Sequence, residues 1–274
     1  MLGPEAVVVV VMGDTLREGR AEVKPAVRPH RLVLFRRASA RRGGLLVAHA
    51  WLTIAVAAAL YVARPSALTL ALAIVIIGAW QLGLLGLMHE PAHWLLFPQA
   101  RLNTWVGTWL CAAPLGADLP QYRRRHHLHH RHTQPPEGPD LMLSARWPLA
   151  RPRLALALLG DLGGFTALTR IASWRRPDGL AVTWRSLGAP LVAHAVLFGI
   201  CAAMGGWMLD LVLWVLPRAT WHQVVTRIRD IAELIVFVPC WKLPRVHALL
   251  LARDLGGRME RASSYAEVLA RAGG

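Results

Sequence analysis

Cysteine is scarce, with Cys111, Cys201 and Cys240 the only three among 274 residues. They lie far apart and form no CxxC, which excludes a disulfide framework and points to a reducing or membrane-buried setting. Lysine is scarcer still: only Lys24 and Lys242 occur, although Lys and Arg together number 31 against 16 acidic residues. A positive charge built almost wholly from arginine reflects genomic composition more than selection for a nucleic-acid surface. No zinc finger or aromatic RNA-binding signature accompanies it, so nucleic acid is not an expected partner. An anionic membrane surface accounts for the charge more simply. The run AVVVVVM at 6–12 follows an acid and no base, so it makes a poor signal peptide and is too short to cross a bilayer.

What the chain does have is apolar length. Hydrophobic residues make up 55% of it and the mean hydropathy is +0.38, too greasy for an ordinary soluble domain. Residues 44–63 and 67–88 are two stretches without a formal charge, each about 20 residues, the length an apolar helix needs to span a membrane. Only Arg64-Pro65-Ser66 separates them, which predicts a tight helical hairpin. A third apolar region runs from Leu187 to Pro217 and is broken by Gly205-Gly206. Two short passes are favoured there over one long helix, because an even number of crossings returns the basic C-terminal segment to the side of the other basic segments. The run of basic residues from Arg17 to Arg42 places that side in the cytoplasm. The expected fold is therefore all-α: a multi-pass membrane bundle, four crossings as two hairpins, with a cytoplasmic His-rich helical cap. The expected organisation is a basic N-terminal segment (1–43), one membrane domain (44–250) and a C-terminal tail (251–274).

Histidine carries the chemistry. The stretch RRRHHLHHRHTQ, 123–134, places five histidines between positions 126 and 132. His126, His129 and His130 fall at i, i+3 and i+4, one face of a helix, whereas His127 and His132 fall off that arc. Earlier, HEPAH sets His89 and His93 four apart, again on one helical face and able to share a metal. Two such clusters on one membrane face point to a metal centre more strongly than to a headgroup-binding loop, which would explain the arginines but not the spacing. Imidazole-rich sites suit zinc, iron or copper, and without thiolates structural zinc is excluded. Five histidines exceed what one catalytic zinc takes, so two metals or one of higher coordination are indicated, and iron with positions open to dioxygen fits best.

The pieces HEPAHWLLF, RLNTWVGTWLCAAP, YRRRHHLHHRHTQ and PDL, with TRIRDIAE (226–233) and VPCWKLPRVHALL (238–250) later, resemble the integral-membrane fatty acid desaturase family. The likeness covers roughly residues 30 to 250. It implies a diiron centre in which His89 and His93 supply the first His box and His126, His129 and His130 the second. Glu90, Asn103, His127 and Asp140 would stand as supporting groups around them. It further implies dioxygen-dependent removal of hydrogen from an unactivated methylene of a lipid or fatty acyl substrate, leaving a double bond or a hydroxyl. The chain carries no haem module and no Gly-rich dinucleotide motif, so electrons would come from a separate ferredoxin- or cytochrome-type donor with its reductase. One departure stands out. The family's third box, another HxxHH, should lie between RDIAE and VPCWKLP, yet Glu233 is followed directly by LIVFVPCWKLP. Without it fewer than two irons and little turnover are expected, unless Glu90, Asp230, Glu233, His222 or His247 contributes.

Two other readings stay open. His89-Glu90-x-x-His93 is the signature of a zinc metalloprotease with Glu90 as general base, although Pro91 inside the motif would remove a helix hydrogen bond. A non-catalytic, truncated desaturase homologue that binds metal partially or not at all is the third.

Overall fold

The computed structural model describes residues 38–131, 150–172 and 184–231, and every regular element among them is helical. Helices α1 (Ala40–Ala63) and α2 (Ala67–Ala92) form the expected hairpin. Its turn is specified locally. Ser66 accepts from the Thr69 amide while the Thr69 hydroxyl accepts from the Ser66 amide, so two of the orphan donors at the start of α2 are satisfied reciprocally. On α1 the buried residues are Gly43, Val47, Ala50, Ile54 and Ala57, alternating four and three apart. That spacing, with small residues at the seam, is how two apolar helices approach closely when lipid offers no hydrophobic drive. The opposite face of α1, with Leu45, Leu52 and Val56, is exposed.

The chain next runs down beside α2 and back. Helix α3 (Ala100–Val106) widens into a π-helical stretch (Gly107–Ala112) and a 3-10 turn (Ala113–Leu115), and Gly116 reverses the direction at φ 71°. Helix α4 (Leu119–Arg131) returns, its first turn capped by Asp118, which accepts from the Gln121 amide at 2.9 Å. Gly107 permits the close approach. A Cβ there would stand 2.5 Å from Pro91 Cγ and 2.9 Å from Leu119 Cδ2. Three side-chain donors in this interior reach backbone carbonyls of other elements. Trp51 Nε1 donates to the Leu110 carbonyl (3.0 Å), Trp214 Nε1 to Pro114 (3.1 Å), and Gln81 Nε2 to Trp214 (2.9 Å). The Trp51 and Trp214 rings stack with centroids 5.9 Å apart. An unpaired amide or indole N–H in so apolar a core would cost about 1–3 kcal/mol.

Helices α5 (Arg151–Leu162) and α6 (Phe165–Ala172) make a second, shorter hairpin, and α7 (Trp184–Gly205) follows. Among the described residues three helices are long and apolar enough to cross a membrane: Ala40–Ala63, Ala67–Ala92, and Ser186–Gly205 within α7. The third apolar region is thus not one helix; it breaks at Gly206, whose φ is 121°. Beyond the break come Met208–Asp210, a π-helical stretch (Leu211–Val215) and Leu216–Ala219, then α8 (Trp221–Ile231). This leg packs along α2. A Cβ on Gly78 would come within 3.0 Å of the His222 amide nitrogen and 3.2 Å of the Pro217 carbonyl, so α2 needs a glycine at that crossing. From there α8 runs toward the C-terminal end of α2, where Arg229 comes within electrostatic reach of Tyr122 on α4.

Candidate metal centre

α2 does not stop at residue 88; it carries on through the HEPA sequence to Ala92. Pro91 lies inside its last turn without ending the helix there, and its carbonyl, an acceptor left over at the helix end, is engaged by the neighbouring chain. Asn103 Nδ2 donates to Pro91 O at 3.1 Å and Arg123 Nη2 at 2.8 Å. His89 and His93 therefore keep their helical register, with ring centroids 4.6 Å apart.

α4 brings the second cluster to the first. The His126 ring stands 4.6 Å from His89 and 4.8 Å from His93, centroid to centroid, and the Nε2 atoms of His93 and His126 are 2.8 Å apart. Ligand nitrogens of His89, His93 and His126 all lie within 4.8 Å of one another. Two imidazoles on one ion can stand at most about 4.2 Å apart, twice a metal–nitrogen bond, so a contraction of under about 1 Å would seat a cation. The donor set is three half-buried imidazoles without a thiolate, which suits iron, zinc or copper. His127 sits at the rim, 5.6 Å from His93 between ring centroids. His129 and His130 belong to α4, with side chains outside the described residues, and Asp140 and the interval after Glu233 also lie outside them.

The supporting groups have distinct places. Glu90 is buried, 4% exposed, at the end of α2. Asn103 is fully buried and does not join the imidazoles. Its Oδ1 accepts from the Phe97 amide at 3.1 Å while its Nδ2 holds Pro91, so it pins the segment that follows the first box. His222 is excluded from the cluster. Its amide meets α2 at Gly78, and eleven residues of helix separate that point from His89, roughly 16 Å along the axis. His194, a lone histidine in an apolar helix by sequence, sits against Gly116 within electrostatic reach of Asp210 and Arg218.

Sequence reasoning passed over four residues here. Tyr122 stacks on His126, centroids 5.3 Å apart and planes 10° from parallel. Burial pushes its hydroxyl up from the ordinary phenol value, and the Arg229 guanidinium draws it part of the way back. Arg123 lies 4.1 Å above the ring of Trp94, the non-glycine residue at φ 62°, and burial draws its pKa below the ordinary arginine value. Asp161 on α5 is fully buried and accepts both Arg227 Nε (2.5 Å) and Arg227 Nη2 (2.8 Å) from α8. Tyr122 was legible as the i−4 neighbour of His126. The Asp161–Arg227 pair, 66 residues apart, had no local signal.

No individually curated protein matches the chain. The family model described as fatty acid desaturase matches residues 65–249, well over half of the 274 residues, and takes in α2, both His clusters and α8. With histidines of two boxes gathered at the end of α2 and that match extending across the chain, this protein belongs to the fatty acid desaturase family.

Proposed function

We propose that this chain is a membrane-bound, dioxygen-dependent fatty acyl desaturase-like oxidoreductase with a histidine-ligated diiron centre, attenuated by the missing third His box. The observation that carries the proposal is the meeting of His89, His93 and His126 at one point of a family member. His129 and His130, one turn further along α4, would extend the same wall, and Glu90, His127 and Asp140 would support it. Bound iron would supply the activation of dioxygen needed to attack an unactivated methylene. The residues of the chain hold and orient that centre. Tyr122 fixes the plane of the His126 ring, and Asn103 and Arg123 hold the carbonyl of Pro91 so that His89 and His93 stay in register.

The membrane arrangement belongs to the same reading. α1 and α2 cross as a hairpin and α7 crosses third. The fourth crossing is the leg from Met208 to Ile231, 24 residues in helical pieces interrupted at Thr220, long enough for a hydrocarbon core of about 30 Å. Both His boxes and both ends of the chain then face the cytoplasm, with segment 1–43 and tail 251–274 flanking the domain 44–250. Reporter fusions at residues 65, 135 and 270 test this; a far-side signal at 135 would overturn it. Reducing equivalents come from a separate ferredoxin- or cytochrome-type donor and its reductase. The basic face favours an acidic donor, whose transfer rate would fall with ionic strength.

Metal analysis beside product formation, on purified chain with reductase, ferredoxin and acyl substrate, tests the function. Fewer than two weakly held irons and slow conversion to desaturated or hydroxylated product are expected. Two tightly held irons with rapid turnover would show that groups other than a third box complete the site. A non-catalytic homologue would give no product at any iron loading. Zinc in place of iron, with peptide cleavage lost in Glu90→Gln, would favour the metalloprotease reading, which the unbroken helix through Pro91 leaves sterically open.

A further inference from the structure

The hairpin of α5 and α6 has an unusual distribution of polarity. One face of α5 is turned inward, with Leu154 and Asp161 buried, and Asp161 is held there by Arg227 and by the Thr166 hydroxyl. The other face continues across the turn into α6. Leu156, Leu159, Phe165 and Leu168 are each between 63% and 71% exposed, a contiguous apolar surface far larger than isolated surface leucines provide. Arg151 and Arg153, both exposed, sit at the open end of the hairpin, and no charged side chain of the described residues lies on its outer face toward the tip.

The depth of the tip follows from two contacts. A Cβ on Gly164 would lie 3.7 Å from the Ala219 carbonyl, and residues 217–222 meet α2 at Gly78. Gly78 is roughly 16 Å below His89 along α2, about half the thickness of a hydrocarbon core. The twelve residues of α5 rise about 18 Å, which matches the descent from the level of the histidines to that of Gly78. At the tip three backbone amides find acceptors within the turn itself. The Gly163 amide donates to Leu159 O (2.8 Å), Gly164 to Asp161 O (3.1 Å) and Leu168 to Gly164 O (3.1 Å).

We infer that residues 150–172 form a re-entrant helical hairpin that dips to the middle of the bilayer from the side bearing the histidines and returns without crossing. Its occupant partner is the acyl chains of that leaflet, which cover the Leu156–Leu159–Phe165–Leu168 surface, while Arg151 and Arg153 meet anionic headgroups at the mouth. The Asp161–Arg227 pair locks the hairpin to α8, so the depth of the hairpin in the leaflet fixes the depth at which α8 delivers the chain beside the His cluster. This holds whether or not the centre is catalytic.

The test uses the full chain with Cys111, Cys201 and Cys240 replaced by Ala and one new cysteine at a time, Arg153→Cys, Leu156→Cys, Leu159→Cys or Phe165→Cys. Each carries an environment-sensitive fluorophore in vesicles of phosphatidylcholine and phosphatidylglycerol. Lipids brominated near the headgroup or near the chain end supply the quencher. Quenching by the deep bromines should rise from Arg153→Cys to Phe165→Cys, several-fold across the series, and quenching by the shallow bromines should fall. A membrane-impermeant thiol reagent should reach Gly163→Cys from neither side. Equal quenching at all four positions would mean a hairpin lying flat, and no quenching would mean a surface covered by protein. Labelling of Gly163→Cys from the far side would mean a full crossing. Each of these overturns the inference.

Discussion

The two flanks of the histidine site are built on different plans. On one flank the ends of α2 and α4 each contribute imidazoles, and their join is held by buried contacts from Asn103, Arg123 and the Gly107 crossing. On the other flank α8 arrives with no histidine past His222, bearing Thr226, Arg227 and Arg229 toward the same place. Both flanks pack against α2, and among the described residues they differ in donors: one brings three imidazoles together and the other adds none to them. Under the proposed reading two six-coordinate irons would offer about a dozen positions, and five imidazoles from one side would fill under half of them.

The largest expected effect comes from removing the furnished side. His93→Ala or His126→Ala should lower metal affinity by more than the about 10–100-fold that loss of a supporting hydrogen bond costs, measured as iron and zinc per purified chain. Unchanged metal in both variants would leave no distinction between the flanks. Furnishing the other side is the converse. A segment carrying HxxHH inserted between Glu233 and Leu234 should raise both iron per chain and product formed; no change would mean that α8 does not deliver the chain to the site.

Arg227→Ala should destabilise the protein by about 3 kcal/mol, because it leaves the Asp161 carboxylate buried without its charge partner, and thermal unfolding in detergent measures it. If stability were unchanged, the anchoring of α8 would not depend on this pair. Asn103→Ala should cost about 2 kcal/mol by abandoning the Phe97 amide and the Pro91 carbonyl, with a smaller loss of metal than the histidine variants show. His49→Ala, whose ring meets only Trp80 edge-on at 4.9 Å among the described ring contacts, should leave metal content where it was. A fall would mean that the site reads histidines well outside the cluster.

Much of the site was legible because its rules are local. A four-residue spacing puts His89 above His93 whatever surrounds them, and the Ser66–Thr69 capping pair marks the start of α2 in the residues themselves. Helix ends were less legible. α2 continues past the uncharged stretch to Ala92, and the groups that engage the Pro91 carbonyl come from α3 and α4, which no window of local sequence contains. The break at Gly206 was visible in the sequence, whereas the short helical pieces that follow it, through to Ile231, were not.

By itself the sequence determined the apolar lengths that become the α1–α2 hairpin and the two His-bearing helical faces, since each depends on composition or on a period of 3.6 residues. Only the tertiary structure decided that His126 meets His89 and His93, that His222 is held roughly 16 Å away at Gly78, and that Asp161 finds Arg227. Those are contacts between segments dozens of residues apart. They are selected by which small residues let helices approach and which buried polar atoms must find partners, and neither choice is written within one turn of helix.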